Sequence, residues 1–180
     1  PLAEEMGLIG ALGEWGVEEA CRQIVELQAL GLELPKVSVN VSALQFNPAF
    51  IGRVSEVLTK TGLRPMRLQL ELTEGIMLDD TEATIRALSH LKGLGVRLSI
   101  DDFGTGYSSL SYLKLLPVQQ LKIDQSFVTG IGRNSDDEAI IRTVMELANR
   151  LDFEVVAEGV ETVEQAEFLA RLGCQQLQGY

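Results

Sequence analysis

At 180 residues with 46% hydrophobic content, the chain carries enough apolar material for one well-buried core, and no composition break or Ser/Pro-rich linker divides it. A formal net charge of −11 and the lack of any basic run exclude a nucleic-acid polymer as partner, so an anionic small substrate would need cations or a few placed Lys or Arg side chains. Cys21 and Cys174 lie far apart with no CxxC spacing, which excludes a thiolate zinc site and fits a reducing compartment with both as small buried side chains.

In chain order, Pro1-Leu2-Ala3-Glu4-Glu5 has neither the basic nor the apolar segment of a signal peptide, and a start on Pro1 in place of Met suggests a fragment. No later stretch approaches the ~20 apolar residues of a membrane span, so no membrane contact is expected of this segment. A helical stretch, Glu14–Leu30, comes first. Strands are then expected at Lys36–Val41, Arg67–Leu72, Val96–Ile100, Gln119–Ile123, Glu154–Ala157 and Cys174–Leu177, from short β-branched or leucine-rich runs. Between them, Pro48–Thr61, Asp80–Leu94, Ser108–Leu116, Asp136–Leu151 and Val163–Leu172 carry apolar residues at three- and four-residue spacing and read as amphipathic helices. Gly62, Gly95 and Gly173 fall where helices should stop, and Asp136 and Thr162 where two should start.

Strict βαβα alternation implies parallel strands with right-handed crossovers, in an open doubly wound sheet or a closed barrel. Asn40, Glu71, Asp101, Asp124, Glu158 and Gln178 each fall at or just past the C-terminal end of a different strand. An open sheet offers one switch point, where six such residues could not converge; a barrel points them all into one mouth. The expected fold is therefore α/β, a (β/α)8 TIM-like barrel. It is incomplete in this chain, with about six βα units and the first and last strands missing.

Asp101-Asp102-Phe103-Gly104-Thr105-Gly106 follows the apolar run Val96–Ile100, placing two adjacent carboxylates at a strand end beside a glycine-rich loop. A turn would account for one acid; two in a row, with further strand-end carboxylates elsewhere, favour a metal site whose oxygens could bridge two cations. No His or Cys occurs among the strand-end residues, which favours hard cations. Lys122 alternates with Leu121 and Ile123, so it shares a face with Gln120 and Asp124, where an amine needs anionic company; a surface lysine is the plainer reading. Glu158 could be a helix-capping acid, a role that suits Glu161 better. Asp102–Leu110 could be a plain turn. His90 reads as solvated scaffold, and Trp15 and Phe153 as core or interface packing.

Six ordered motifs carry a resemblance: Asn40-Val41-Ser42, Glu71-Leu72-Thr73-Glu74, Asp101–Leu110, Leu121-Lys122-Ile123-Asp124, Ala157-Glu158-Gly159-Val160-Glu161 and Gln178-Gly179-Tyr180. Across its whole length, residues 1–180, the chain resembles an EAL domain truncated at both ends, of the bacterial family that linearises cyclic di-GMP. The Glu-Ala-Leu segment that names the family, and the phosphate-binding arginine after it, would lie upstream of Pro1. Asp102-Phe103-Gly104 alone matches a kinase signature, but no kinase glycine loop, strand lysine or catalytic loop accompanies it.

The resemblance implies a cyclic-guanylate-specific phosphodiesterase yielding linear pGpG with two Mg²⁺ or Mn²⁺ ions per site; the alternative is an inactive cyclic di-GMP receptor or scaffold. By the same resemblance, Asn40, Glu71 and Asp101 hold the first ion with the family's glutamate, and Asp101, Asp102 and Glu158 hold the second. Glu158 is the implied general base, Lys122 orients water or binds phosphate, and Gln178 and Asp124 join Lys122 in contacting substrate. Gly104, Thr105 and Gly106 lie in a mobile loop linking metal site and dimer surface; Glu74 anchors it and Glu161 supports it. A cytoplasmic homodimer attached to sensory or diguanylate cyclase domains is the implied setting, and the fragment alone is expected to be weak or inactive as a catalyst.

Overall fold

Helices and strands alternate along the chain in the expected order. The computed structural model describes residues 6–77, 81–106 and 110–180. It falls into two units, residues 1–98 and 99–180. The expected helix starts at Asp80 and Ser108, and Tyr107, Ser108 and Ser109 of the Asp101–Leu110 motif, lie outside the described residues.

In the first unit, helix α1 (Ile9–Ala29) precedes strand β1 (Val37–Val41), helix α2 (Pro48–Thr61), strand β2 (Leu68–Thr73) and helix α3 (Thr81–Leu94). Helix α1 starts ahead of the expected Glu14. Gly10, Gly13 and Gly16 weaken the helical pattern there, and a long-range contact supplies what propensity lacks: the Gln45 amide donates to the Ile9 carbonyl and fills the space a side chain at Gly13 would need. Val17, Cys21 and Ile24 form its buried stripe, packed on α2 and β1. Helix α2 begins with Asn47 accepting from Phe50 N at 3.0 Å and Pro48 in the first turn, and ends at Gly62 with φ 70°. Strands β1 and β2 are parallel, with Val39 opposite Leu70 and Asn40 opposite Glu71. Every residue of β2 from Leu68 to Leu72 is buried, as in a strand covered on both faces.

The second unit contains strand β3 (Arg97–Phe103), whose first two residues precede the boundary, then helix α4 (Leu110–Leu113) and strand β4 (Gln120–Ile123). Helix α5 (Gln125–Thr129), helix α6 (Ser135–Leu151), strand β5 (Glu154–Val160), helix α7 (Val163–Arg171) and strand β6 (Gln176–Gly179) follow. Strands β3 to β6 are parallel and pair in sequence order. Helix α6 buries Ile141, Val144, Met145 and Ala148 against β4 and β5; each large apolar side chain so buried contributes about 1.5–3 kcal/mol of transfer free energy. Arg142 stacks its guanidinium 4.7 Å from the centroid of the Phe168 ring.

Several boundaries depart from expectation for identifiable reasons. Strands β3 and β5 do not stop at Ile100 and Ala157 but run on through bulges. Ile100 to Phe103 faces only Leu121 to Ile123, and Ala157 to Val160 faces only Leu177 to Gly179, so each carries one extra residue. Helix α6 is capped by Asn134, which accepts from Asp136 N at 3.0 Å, so it starts before Asp136. Strand β6 begins at Gln176 because the Gln175 side chain, not its backbone, takes the Val155 N–H, at 2.8 Å. Helix α5 is too short for a periodicity signal. Trp15 is 64% exposed and does not belong to the core, Phe153 is buried, and His90 is exposed. Cys21 is buried, which pushes its thiol up to about 11, whereas Cys174 is only half-buried and donates weakly to the Gln176 carbonyl. Among the described residues no helix is long and apolar enough to cross a membrane.

Candidate metal centre

The bulge in β3 explains how neighbouring aspartates can serve one site. On a regular strand they would face opposite ways, but Asp102 takes φ 52°, a left-handed conformation that Asp tolerates better than most residues. Its N–H donates to Asp101 Oδ1 at 3.1 Å, and its carbonyl accepts from Thr105 N at 3.3 Å and Thr105 Oγ1 at 2.8 Å, closing the turn through Gly104. Strand β4 supplies Lys122. Its buried ammonium lies 2.9 Å from Asp101 Oδ1 and 2.6 Å from Glu158 Oε1. Glu158 stands at the β5 bulge, next to Gly159 with φ 70°. One carboxylate oxygen each from Asp101, Asp102 and Glu158 lies within 4.8 Å of the other two.

Asp124, directly after β4, caps α5 by accepting from Ser126 N at 3.0 Å and from Ser126 Oγ, and its carboxyl lies beside that of Asp102. Burial first, then the charges of Asp101, Asp124 and Glu158, push the Asp102 carboxyl above its ordinary value. Negative charge is thus in surplus around one ammonium. Hard carboxylate oxygens crowded around one ammonium are what a divalent Mg²⁺- or Mn²⁺-type cation relieves, so the donor chemistry fits such an ion.

In the first unit, Asn40 and Glu71 stand opposite each other in the β1–β2 register. Glu71 is buried and accepts from Gln69 Nε2 at 3.3 Å, while Gln69 Oε1 takes the Lys36 ammonium at 2.7 Å. Glu74 is buried at the start of the short turn Glu74–Met77. Gly104, Thr105, Gly106 and Gln178 are exposed. Glu161 is exposed too; its backbone N–H donates to Gln165 Oε1 at 2.8 Å, and Thr162 is the cap of α7. The sequence reading passed over the buried polar residues Gln69 and Ser99 beneath the strand-end acids, and Gln165. Signals for them exist: Gln69 alternates with leucines in step with Glu71, and Thr162-x-x-Gln165 is a capping-box spacing.

The EAL domain family model matches residues 1–180. The bifunctional diguanylate cyclase/cyclic di-GMP phosphodiesterase MucR of Pseudomonas aeruginosa is 48% identical over 100% of this chain and 26% of its own length. Cyclic di-GMP phosphodiesterase NbdA of the same organism is 42% identical over 99% of this chain and 23% of its own. The chain thus spans about a quarter of these curated relatives. The solved PaMucR phosphodiesterase, in complex with c-di-GMP, superposes with TM-score 0.94 at 47% identity over 99% of this chain and 73% of that one. With that match the fold class is the α/β, TIM-like barrel type, with six strands among the described residues where a complete barrel has eight.

Proposed function

We propose, from the premise that the chain belongs to the EAL domain family, that it is a metal-dependent phosphodiesterase opening cyclic di-GMP to linear pGpG. The observation that carries the reading is the convergence of Asp101, Asp102 and Glu158 within 4.8 Å around the buried Lys122. Support also comes from MucR and NbdA, both named as cyclic di-GMP phosphodiesterases, and from PaMucR, solved with c-di-GMP.

In this reading Asp101, Asp102 and Glu158 would hold Mg²⁺ or Mn²⁺, and Asn40 and Glu71 are proposed as the ligands of a second such ion. Such ions, when bound, lower the pKa of water and relieve charge on the phosphoryl oxygens. Glu158 accepts the proton of the attacking water as the water oxygen bonds to phosphorus and one P–O ester bond breaks. Lys122 pairs with Glu158 and Asp101 and faces the substrate phosphate. Asp124 and Gln178 contact the nucleotide. Glu74, Gly104, Thr105, Gly106 and Glu161 control the loop after β3. The setting we propose is a cytoplasmic homodimer whose activity is governed by attached sensory or cyclase domains, a pairing that MucR's name also carries. The receptor alternative is not favoured, because these relatives are phosphodiesterases.

The test is to incubate the whole protein with cyclic di-GMP and Mg²⁺ or Mn²⁺ and follow pGpG. Metal-dependent product that is lost in Asp101→Asn supports the reading. Tight cyclic di-GMP binding without product under either ion would overturn hydrolysis in favour of a receptor.

A further inference from the structure

We propose that helix α5, clamped by Gln165, is the positioning device that holds Glu158 against Asp101 and Asp102. The inference rests on the functional reading above and concerns residues that touch no reacting atom. Three contacts carry it. Beside Glu158, a Cβ on Gly159 would stand 2.7 Å from Gln125 Cβ and 3.4 Å from Gln125 Cα, so the first turn of α5 lies directly on the β5 bulge at a spot only glycine permits. On its other side α5 sets the Phe127 ring against Gly104, φ 100°, where a Cβ would come within 3.1 Å of Phe127 Cε2. The helix is thus seated between the backbone that follows Asp101 and Asp102 and the backbone that follows Glu158.

The third contact is the clamp. Gln165 is buried in α7; its amide oxygen accepts from Glu161 N at 2.8 Å and Thr162 N at 3.0 Å, and its amide nitrogen donates to the Val128 carbonyl at 3.2 Å. One side chain therefore ties the last turn of α5 to the segment leaving β5. A helix of five residues has no stability of its own, so its seat is set by these contacts, and a shift of the seat moves both bulges that aim the carboxylates.

Mn²⁺ binding by calorimetry and steady-state hydrolysis, both on the whole protein, test this. Gly159→Ala and Gln165→Leu should each weaken Mn²⁺ binding at least about tenfold, as loss of supporting groups behind metal ligands does, and lower kcat more than they raise KM. Gln125→Gly added to Gly159→Ala should recover part of the affinity by removing the opposing Cβ, a rescue that a general loss of packing would not give. Gln165→Glu keeps the acceptor for the two N–H groups but loses the donor to Val128, and should fall between wild type and Gln165→Leu. Should Gly159→Ala fail to fold, Gln165→Leu and Gln165→Glu decide the matter. Wild-type Mn²⁺ affinity in folded Gly159→Ala and Gln165→Leu overturns the inference alone. No Mn²⁺ binding by the wild type overturns the functional reading and this inference with it.

Discussion

Glu18 in the first unit and Lys122 in the second each sit between two opposite charges, and the two trios mirror one another in sign. Glu18 accepts from Arg53 and Lys60, joining α1 to α2; Lys122 donates to Asp101 and Glu158, joining β4 to the two bulged strands. Solvent separates their roles. Lys60 is 68% exposed and Lys122 only 7%, so water screens the first trio while the second acts at low local dielectric. The first has each acid matched by cations and serves as scaffold. The second adds Asp102 and Asp124 to two acids already facing one ammonium. Surplus like charge held in place by packing, not the number of ion pairs, marks the chemical site.

The largest effect that would sharpen this contrast is expected from Lys122→Met. Removing the one ammonium leaves Asp101 and Glu158 half-buried without their partner, at a cost of about 3–5 kcal/mol in folding free energy, read by urea denaturation in EDTA. Hydrolysis should fall with it. A loss no larger than that of an exposed pair would mean the cluster is solvated, and the contrast would break.

Glu158→Gln comes next. It removes a base and a charge while keeping the shape, so turnover should drop by about 10²–10⁴ with cyclic di-GMP binding still measurable by titration. Turnover near wild type would remove Glu158 from the mechanism.

How far the sequence reached follows from which forces act locally. The alternation of Leu68, Leu70 and Leu72 with Gln69 and Glu71, the caps of α2 and the period of α6 are local patterns, and the elements formed there. Alternation alone assigns Lys122 the face it shares with Gln120 and Asp124, but its partners Asp101 and Glu158 lie on other strands. The bulges were not legible: a register slip is decided by the neighbouring strand, so the reading ended β3 at Ile100 and missed that φ 52° at Asp102 is what turns its carboxylate. Helix α5 and the Gln165 clamp depend on contacts distant in sequence. The exposure of Trp15 removes the core half of its reading, since an aromatic residue in an amphipathic helix need not lie on its buried stripe.

Asp102→Asn should have a smaller effect on stability, with a sign that sharpens the contrast. The Asp102 carboxyl is raised in the fold, chiefly by burial and by Asp101. A raised acid contributes stability below its unfolded value and loses it as pH rises through the folded value. In EDTA at neutral pH, Asp102→Asn should therefore raise Tm, and at about pH 3, where the carboxyl is protonated in both states, the gain should vanish. Mn²⁺ should raise the Tm of wild type but not of the variant. A variant less stable than wild type at neutral pH in EDTA would show that the crowding is not real.

The smallest effect is expected from Glu18→Gln, and its pH dependence runs the other way. Lys60, by hydrogen bond and charge, holds the Glu18 carboxyl below its ordinary value, with Arg53 adding to the effect. A depressed acid contributes stability above its unfolded value, near 4.5, and loses it as pH falls through the folded value. Because this trio is open to water, the variant should melt within a degree or so of wild type at neutral pH, and any difference should shrink at about 1 M salt and disappear in acid. Mn²⁺ affinity and pGpG formation should be unchanged. A change in either, or a stability loss approaching that of Lys122→Met, would show that the Glu18 trio is coupled to the chemistry and that exposure alone does not separate scaffold charge from working charge.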